Sequence, residues 1–69
     1  MLYTVHVRLH EANLMSAMSE MRVWLDTHGY EPDLFQYRTE ARGALLRVDF
    51  KFESEAFAFA EAFDGSLIR

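Results

Sequence analysis

The sequence predicts a two-layer α+β domain, an antiparallel sheet with both helices on one face, in the order βαββα with a possible short final strand. Three observations carry this. First, Ala44 to Glu53 alternates: Ala44, Leu46, Val48, Phe50 and Phe52 form one row, and Leu45, Arg47, Asp49, Lys51 and Glu53 form the other. Side chains of a strand point to opposite faces in turn, so one face lies on a core and the other carries mixed charge. Second, Leu14, Met18, Met21 and Leu25 recur at helical spacing, as do Ala56, Phe59, Ala60 and Phe63. Third, the single proline, Pro32, and the glycines Gly29, Gly43 and Gly65 all stand where elements should end.

Each element has its own warrant. Tyr3, Val5, Val7 and Leu9 alternate with Thr4, His6, Arg8 and His10, a half-buried first strand. Asn13 offers an N-cap for the first helix, with Ala17 and Trp24 flanking the apolar stripe. Gly29 suits its C-terminal cap, and Pro32 prevents continuation. Leu34 to Thr39 alternates again, with Phe35, Tyr37 and Thr39 as the inner row. A hairpin closed by the four-residue loop Glu40-Ala41-Arg42-Gly43 sets Thr39 opposite Ala44, Tyr37 opposite Leu46 and Phe35 opposite Val48, so that inner meets inner at every pair. Ser54 is the expected N-cap of the second helix and Gly65 its terminator. Ser66 to Arg69 is too short to assign from sequence and could form a stub of a fourth strand at a sheet edge.

A right-handed crossover puts the third strand between the first two and both helices on one face. That arrangement resembles the ferredoxin-like, split βαβ superfold. The resemblance is to a superfold and not to a family with a motif, and it implies no activity. Residues 1–69 form one domain, because 69 residues support a single core and no more.

Composition narrows the function classes. Hydrophobic residues make up 51% and aromatics 14%, which supports a packed core and argues against disorder. The core of so small a domain barely offsets its ordering entropy, and small domains add disulfides, a metal or a partner subunit. There is no cysteine, so self-association is the support left by elimination, and a homodimer is expected. The net charge of −4 makes nucleic acid an unfavoured partner. The N-terminal residues lack a basic stretch followed by an apolar run, and no apolar run approaches the roughly 20 residues of a membrane span. A soluble cytoplasmic protein is the expectation, with no membrane partner.

No grouping supplies chemistry, and a non-enzyme with no metal and no cofactor is expected. His6 and His10 share a strand face, yet four residues of strand separate them by roughly 13 Å, too far for one metal ion. A third ligand could come from Asp49 on the neighbouring strand, but nothing requires it. His28 falls in the last turn of a helix, where a cation suits the dipole. Glu53, Glu55, Glu61 and Asp64 form no pair set in apolar sequence, the serines lack a nucleophile elbow, and the glycines are single and scattered.

One distribution rises above this background. Thr4, His6, Arg8, His10, Gln36, Arg38, Leu45, Arg47, Asp49 and Lys51 map to the outer sheet face, which makes it mildly basic on an acidic molecule. His6, Arg8, His10, Arg47 and Lys51 are the expected contacts for a small anionic ligand, and Trp24 and Phe57 those for a partner protein. The outer positions of the first and third strands carry no Phe, Tyr or Trp on which an RNA base would stack. The function expected is a small, non-catalytic binding domain acting as a homodimer. The alternative is a sensor module taking a small anion or nucleic acid on the basic face.

Overall fold

The computed structural model describes residues 1–68. Strand β1 (Tyr3–His10) leads through a 3₁₀ turn at Glu11–Asn13 into helix α1 (Leu14–His28). Strands β2 (Leu34–Glu40) and β3 (Gly43–Phe50) form a hairpin, followed by helix α2 (Glu53–Phe63) and a short strand β4 (Ser66–Ile68). The result is an α+β fold of one four-stranded antiparallel sheet, ordered β2-β3-β1-β4, with two helices. The final strand that the sequence leaves open is present from Ser66 to Ile68, pairing with β1 through Thr4, Val5 and His6; Arg69 lies outside the described residues.

The hairpin register follows inner-to-inner matching: Phe35 faces Val48, Tyr37 faces Leu46 and Thr39 faces Ala44. The loop is shorter than expected. Glu40 and Gly43 already pair, which leaves Ala41 and Arg42 as a two-residue turn, and neither takes a positive φ.

The core sits between sheet and helices. Val5 and Val7 from β1, Leu46, Val48 and Phe50 from β3, Met21 and Leu25 from α1, and Ala56, Phe59 and Ala60 from α2 form one buried cluster. Contributions from both helices to that cluster place them on the same side of the sheet. Phe59 meets Phe50 in a tilted contact at 5.5 Å between ring centroids, and Trp24 meets Phe59 and Phe63 edge-on at 5.7 Å each. Such edge-on arrangements suit the charge distribution of aromatic rings.

Several details depart from the sequence-based expectation. Phe52 was expected in the inner row of the third strand. Instead β3 ends at Phe50, and Phe52 is the extended N-cap residue of α2, 61% exposed. Two bend residues turn the chain there, so the period-two pattern runs past the strand it describes. Helix α2 accordingly begins at Glu53, ahead of the expected Ser54 cap, with Glu53 and Glu55 in its dipole-favoured first turn. It ends on Asp64 in the left-handed region (φ 55°), one residue before Gly65. Asp is among the few non-glycine types that adopt this conformation readily. Asn13 does occupy the N-cap of α1, but its side chain caps nothing; Ser16 Oγ donates to the Asn13 carbonyl instead. Gly29 closes α1 at φ 71°, its N–H donating to the Asp26 and Leu25 carbonyls.

The inner row of β2 is only partly covered. Phe35 packs against the core, with the Arg22 guanidinium 5.2 Å from its ring centroid. Tyr37 is 48% exposed and Thr39 is exposed. The helix residues in the core cluster meet residues of β1 and β3, and β2 lies outside them at the sheet edge.

Candidate functional site

The face of the sheet away from the helices is open, and β-pairing arranges its side chains in transverse rows. Ile68, Thr4, Asp49 and Leu34 are successive cross-strand neighbours in one row; Ser66, His6, Arg47 and Gln36 form the next; Arg8, Leu45 and Arg38 form a third. Directly opposed residues in such rows have Cβ atoms about 4.5–5.5 Å apart.

The centre of this face is an ion pair. Asp49, expected among solvated charges of the outer row, is buried at 2% exposure. The middle position of β3 explains it, because strands flank the carboxylate on both sides. Thr4 Oγ1 donates to Asp49 Oδ1 at 2.8 Å, and Arg47 donates through Nε to Oδ1 and through Nη2 to Oδ2, both at 3.1 Å. Among the described residues, no buried side-chain polar atom is left without a partner. The Arg47 hydrogen bonds hold the Asp49 carboxyl below the usual carboxylate range against the opposing effect of burial, and Thr4 adds to them. The same contact holds the guanidinium above its ordinary value.

The sign of the pH effect follows. A carboxyl whose folded value is depressed contributes stability that is present above the unfolded value, near 3.9, and is lost as pH falls through the folded one. Asp49→Asn is expected to lower stability by about 1–3 kcal/mol at pH 7, since Thr4 and Arg47 lose a charged acceptor. Urea midpoints at pH 7 and pH 3 check this: the gap between variant and wild type should narrow in acid. A gap that stays constant would show that Asp49 is not the group responsible.

The other outer cations are also paired. Arg8 Nη1 lies 3.0 Å from Glu40 Oε1, Arg38 Nη2 lies 4.0 Å from Glu40 Oε2, and Lys51 Nζ lies 3.6 Å from Asp33 Oδ1. These are exposed pairs, weakly held and screened by salt.

Of the five expected ligand contacts, the structure brings His6, Arg8 and Arg47 together around Leu45. His10 lies further along β1, opposite Gly43, and Lys51 lies beyond the end of β3 against Asp33. Gln36, Arg38 and Ser66 join the group. Ser66 escaped sequence reading because only the register of β4 places it beside His6. Two hollows flank the pair His6 and Leu45. One, of about 310 Å3, is bounded by Gln36, Tyr37, Arg38 and Arg47; the other, of about 450 Å3, by Arg8, Asp64, Ser66 and Ile68. Among the described residues, no three His, Asp or Glu side chains gather at metal-ligand spacing.

The expected partner contacts differ from each other. Trp24 is partly buried and packs on Tyr30, Phe59, Phe63 and His28, so most of its ring closes the core. Its exposed edge joins Val23 and Phe63 in a groove along the helix layer. Phe57 is 54% exposed. His28 Nδ1 sits 2.9 Å from the Trp24 carbonyl oxygen in the last helical turn, and its ring lies 4.1 Å from the indole between centroids.

Among the described residues, no helix is long and apolar enough to cross a membrane. No protein-family model matches the chain, and neither any curated protein nor any solved structure matches it significantly.

Proposed function

We propose that this chain is a non-catalytic, ferredoxin-like interaction domain that works as a homodimer, the two copies joined through the free edge of β2. The ferredoxin-like reading is supported by the strand order β2-β3-β1-β4 and by both helices sharing one face. The observation that carries the dimer is the state of that edge. The Glu11 N–H donates to the Arg42 carbonyl, which turns the even-numbered residues of β3 toward β1 and the odd-numbered ones toward β2. By the alternation of an antiparallel ladder, Leu34, Gln36, Arg38 and Glu40 then bond to β3, while Phe35, Tyr37 and Thr39 present their N–H and C=O groups outward. Free edges of this kind are templates for pairing.

The edge is also self-complementary. A two-fold axis at Tyr37 pairs Tyr37 with its own copy and Phe35 with Thr39, using all three outward-facing residues. It also sets Gln36 opposite Arg38 on the outer face. Covering the half-exposed Tyr37 supplies the apolar burial that a 69-residue, cysteine-free chain needs.

Sedimentation at low micromolar concentration tests the reading. Wild type is expected at twice the 8.1 kDa chain mass. Tyr37→Lys, which sets two like charges against each other on the axis, is expected to sediment as a folded monomer. A wild-type monomer would remove the proposal.

A further inference from the structure

The Arg47 guanidinium is held from one side only. Nε and one hydrogen of Nη2 are committed to Asp49, which fixes the plane of the group. Three of its five N–H donors remain, including a parallel pair on Nη1 and Nη2, and the side chain is 51% exposed. A guanidinium oriented in advance in this way presents a fork that matches the two oxygens of a carboxylate or a phosphate.

The surroundings favour an anion at that fork. His6 stands directly opposite Arg47 on β1 and Gln36 directly opposite on β2, each able to donate an N–H. The hollow on the β2 side is bounded by these three residues with Tyr37, Arg38 and Leu45, and among the described residues no carboxylate lines it. Glu40 holds Arg38 only loosely, at 4.0 Å and with the arginine side chain 75% exposed, so Arg38 is free to turn toward a bound anion. Leu45, directly opposite Arg38 and next to Arg47 along the same face of β3, supplies an apolar side chain to the hollow. The hollow on the β1 side differs, because Asp64 lines it and opposes negative charge.

We infer that the β2-side hollow of the open sheet face binds a small amphiphilic anion, its carboxylate or phosphate held by the free end of Arg47 with His6, Gln36 and Arg38, and its apolar body resting on Leu45. Asp49 is a positioning residue here, since it orients the guanidinium without reaching the ligand. Its contacts all come from one chain, although pairing of β2 edges would bring a second copy's Arg38 beside Gln36 at the rim of the hollow.

Amide and arginine Nε–H chemical-shift titrations of the whole chain test the site. Benzoate and phenyl phosphate serve as anionic probes and benzyl alcohol as the neutral control. Saturable shifts at His6, Gln36, Arg38, Leu45 and the Arg47 Nε–H with at least one anion, and none with the alcohol, are expected; which anion binds more tightly separates a carboxylate ligand from a phosphate one. Arg47→Lys keeps the charge but loses the fork, and is expected to weaken binding at least about tenfold. Because that change also disturbs Asp49, Arg38→Gln, at an exposed position, provides the folded comparison and is expected to weaken binding about fivefold. Equal shifts with benzyl alcohol, non-saturating shifts for both anions, or unchanged affinity in Arg38→Gln would each overturn the assignment.

Discussion

Phe59→Ala is expected to remove roughly half or more of the domain's folding stability at 25 °C. Phe59 has no exposed surface and touches both layers, with its ring 5.5 Å from that of Phe50, 5.0 Å from Phe63 and 5.7 Å from Trp24. Truncating a buried phenylalanine costs about 3–5 kcal/mol, through lost burial and the cavity left behind. A domain of this length holds roughly 3–10 kcal/mol in total at typical values per residue. The cluster has no second aromatic able to fill the space, because Phe50 is held in β3 and Trp24 already closes the outer side. Phe57→Ala, two residues away on the same helix, removes a ring that is half in water and is expected to change stability by less than about 1 kcal/mol. Urea unfolding followed by circular dichroism compares the two. Similar midpoints would show that α2 does not pack through the face described.

Gly43→Ala is the second large effect, and its cause is backbone contact rather than burial. Gly43 opens β3 immediately after the two-residue turn and pairs with Glu40 on one side and His10 on the other. A β-carbon there would collide with the backbone carbonyl of Leu9, and would also come within 3.1 Å of the Glu11 nitrogen. Neither neighbour is a side chain that can rotate away. The end of β1 has to separate from β3, which breaks the Glu11-to-Arg42 hydrogen bond. A loss of about 3 kcal/mol is expected, at the upper end for overpacking. Gly29→Ala makes a useful contrast. Nothing lies within 4 Å of its would-be β-carbon, and only the left-handed φ of 71° opposes the change, for a cost of about 1 kcal/mol. Amide exchange separates the two mechanisms, since Gly43→Ala should accelerate exchange along Leu9 and Ala44 while Gly29→Ala should act at the end of α1. Equal and small losses for both variants would remove the close-approach argument.

Much of the fold was legible because its signals are local. Alternation in Tyr3 to Leu9 and in Ala44 to Phe50 marks strands, and one residue of slip would turn every apolar side chain outward. The hairpin register followed from that constraint together with the position of the turn before Gly43. Where local pattern outran structure, errors appeared: Phe52 continues the alternation of β3 but sits beyond its end, and Gly65 stands beside the left-handed Asp64 that closes α2.

The candidate site was legible only in part. That His6, Arg8 and Arg47 share a face follows from strand parity. That Asp49 is buried could have been suspected from an Arg-x-Asp pair on one face of a strand placed between two others. Ser66 beside His6, Gln36 opposite Arg47, and the departure of Lys51 toward Asp33 depend on registers and strand ends that no single segment encodes.

By itself the chain determined its periodicities, and through them two layers, an apolar inner row and a polar outer one, since burial selects a face wherever hydrophobic residues recur in step with the backbone. Tertiary structure decided which charges meet and which edge stays open. Those outcomes depend on side chains from β1, β2 and β3 arriving within a few ångströms of one another, and on how far two short helices extend over the sheet they cover.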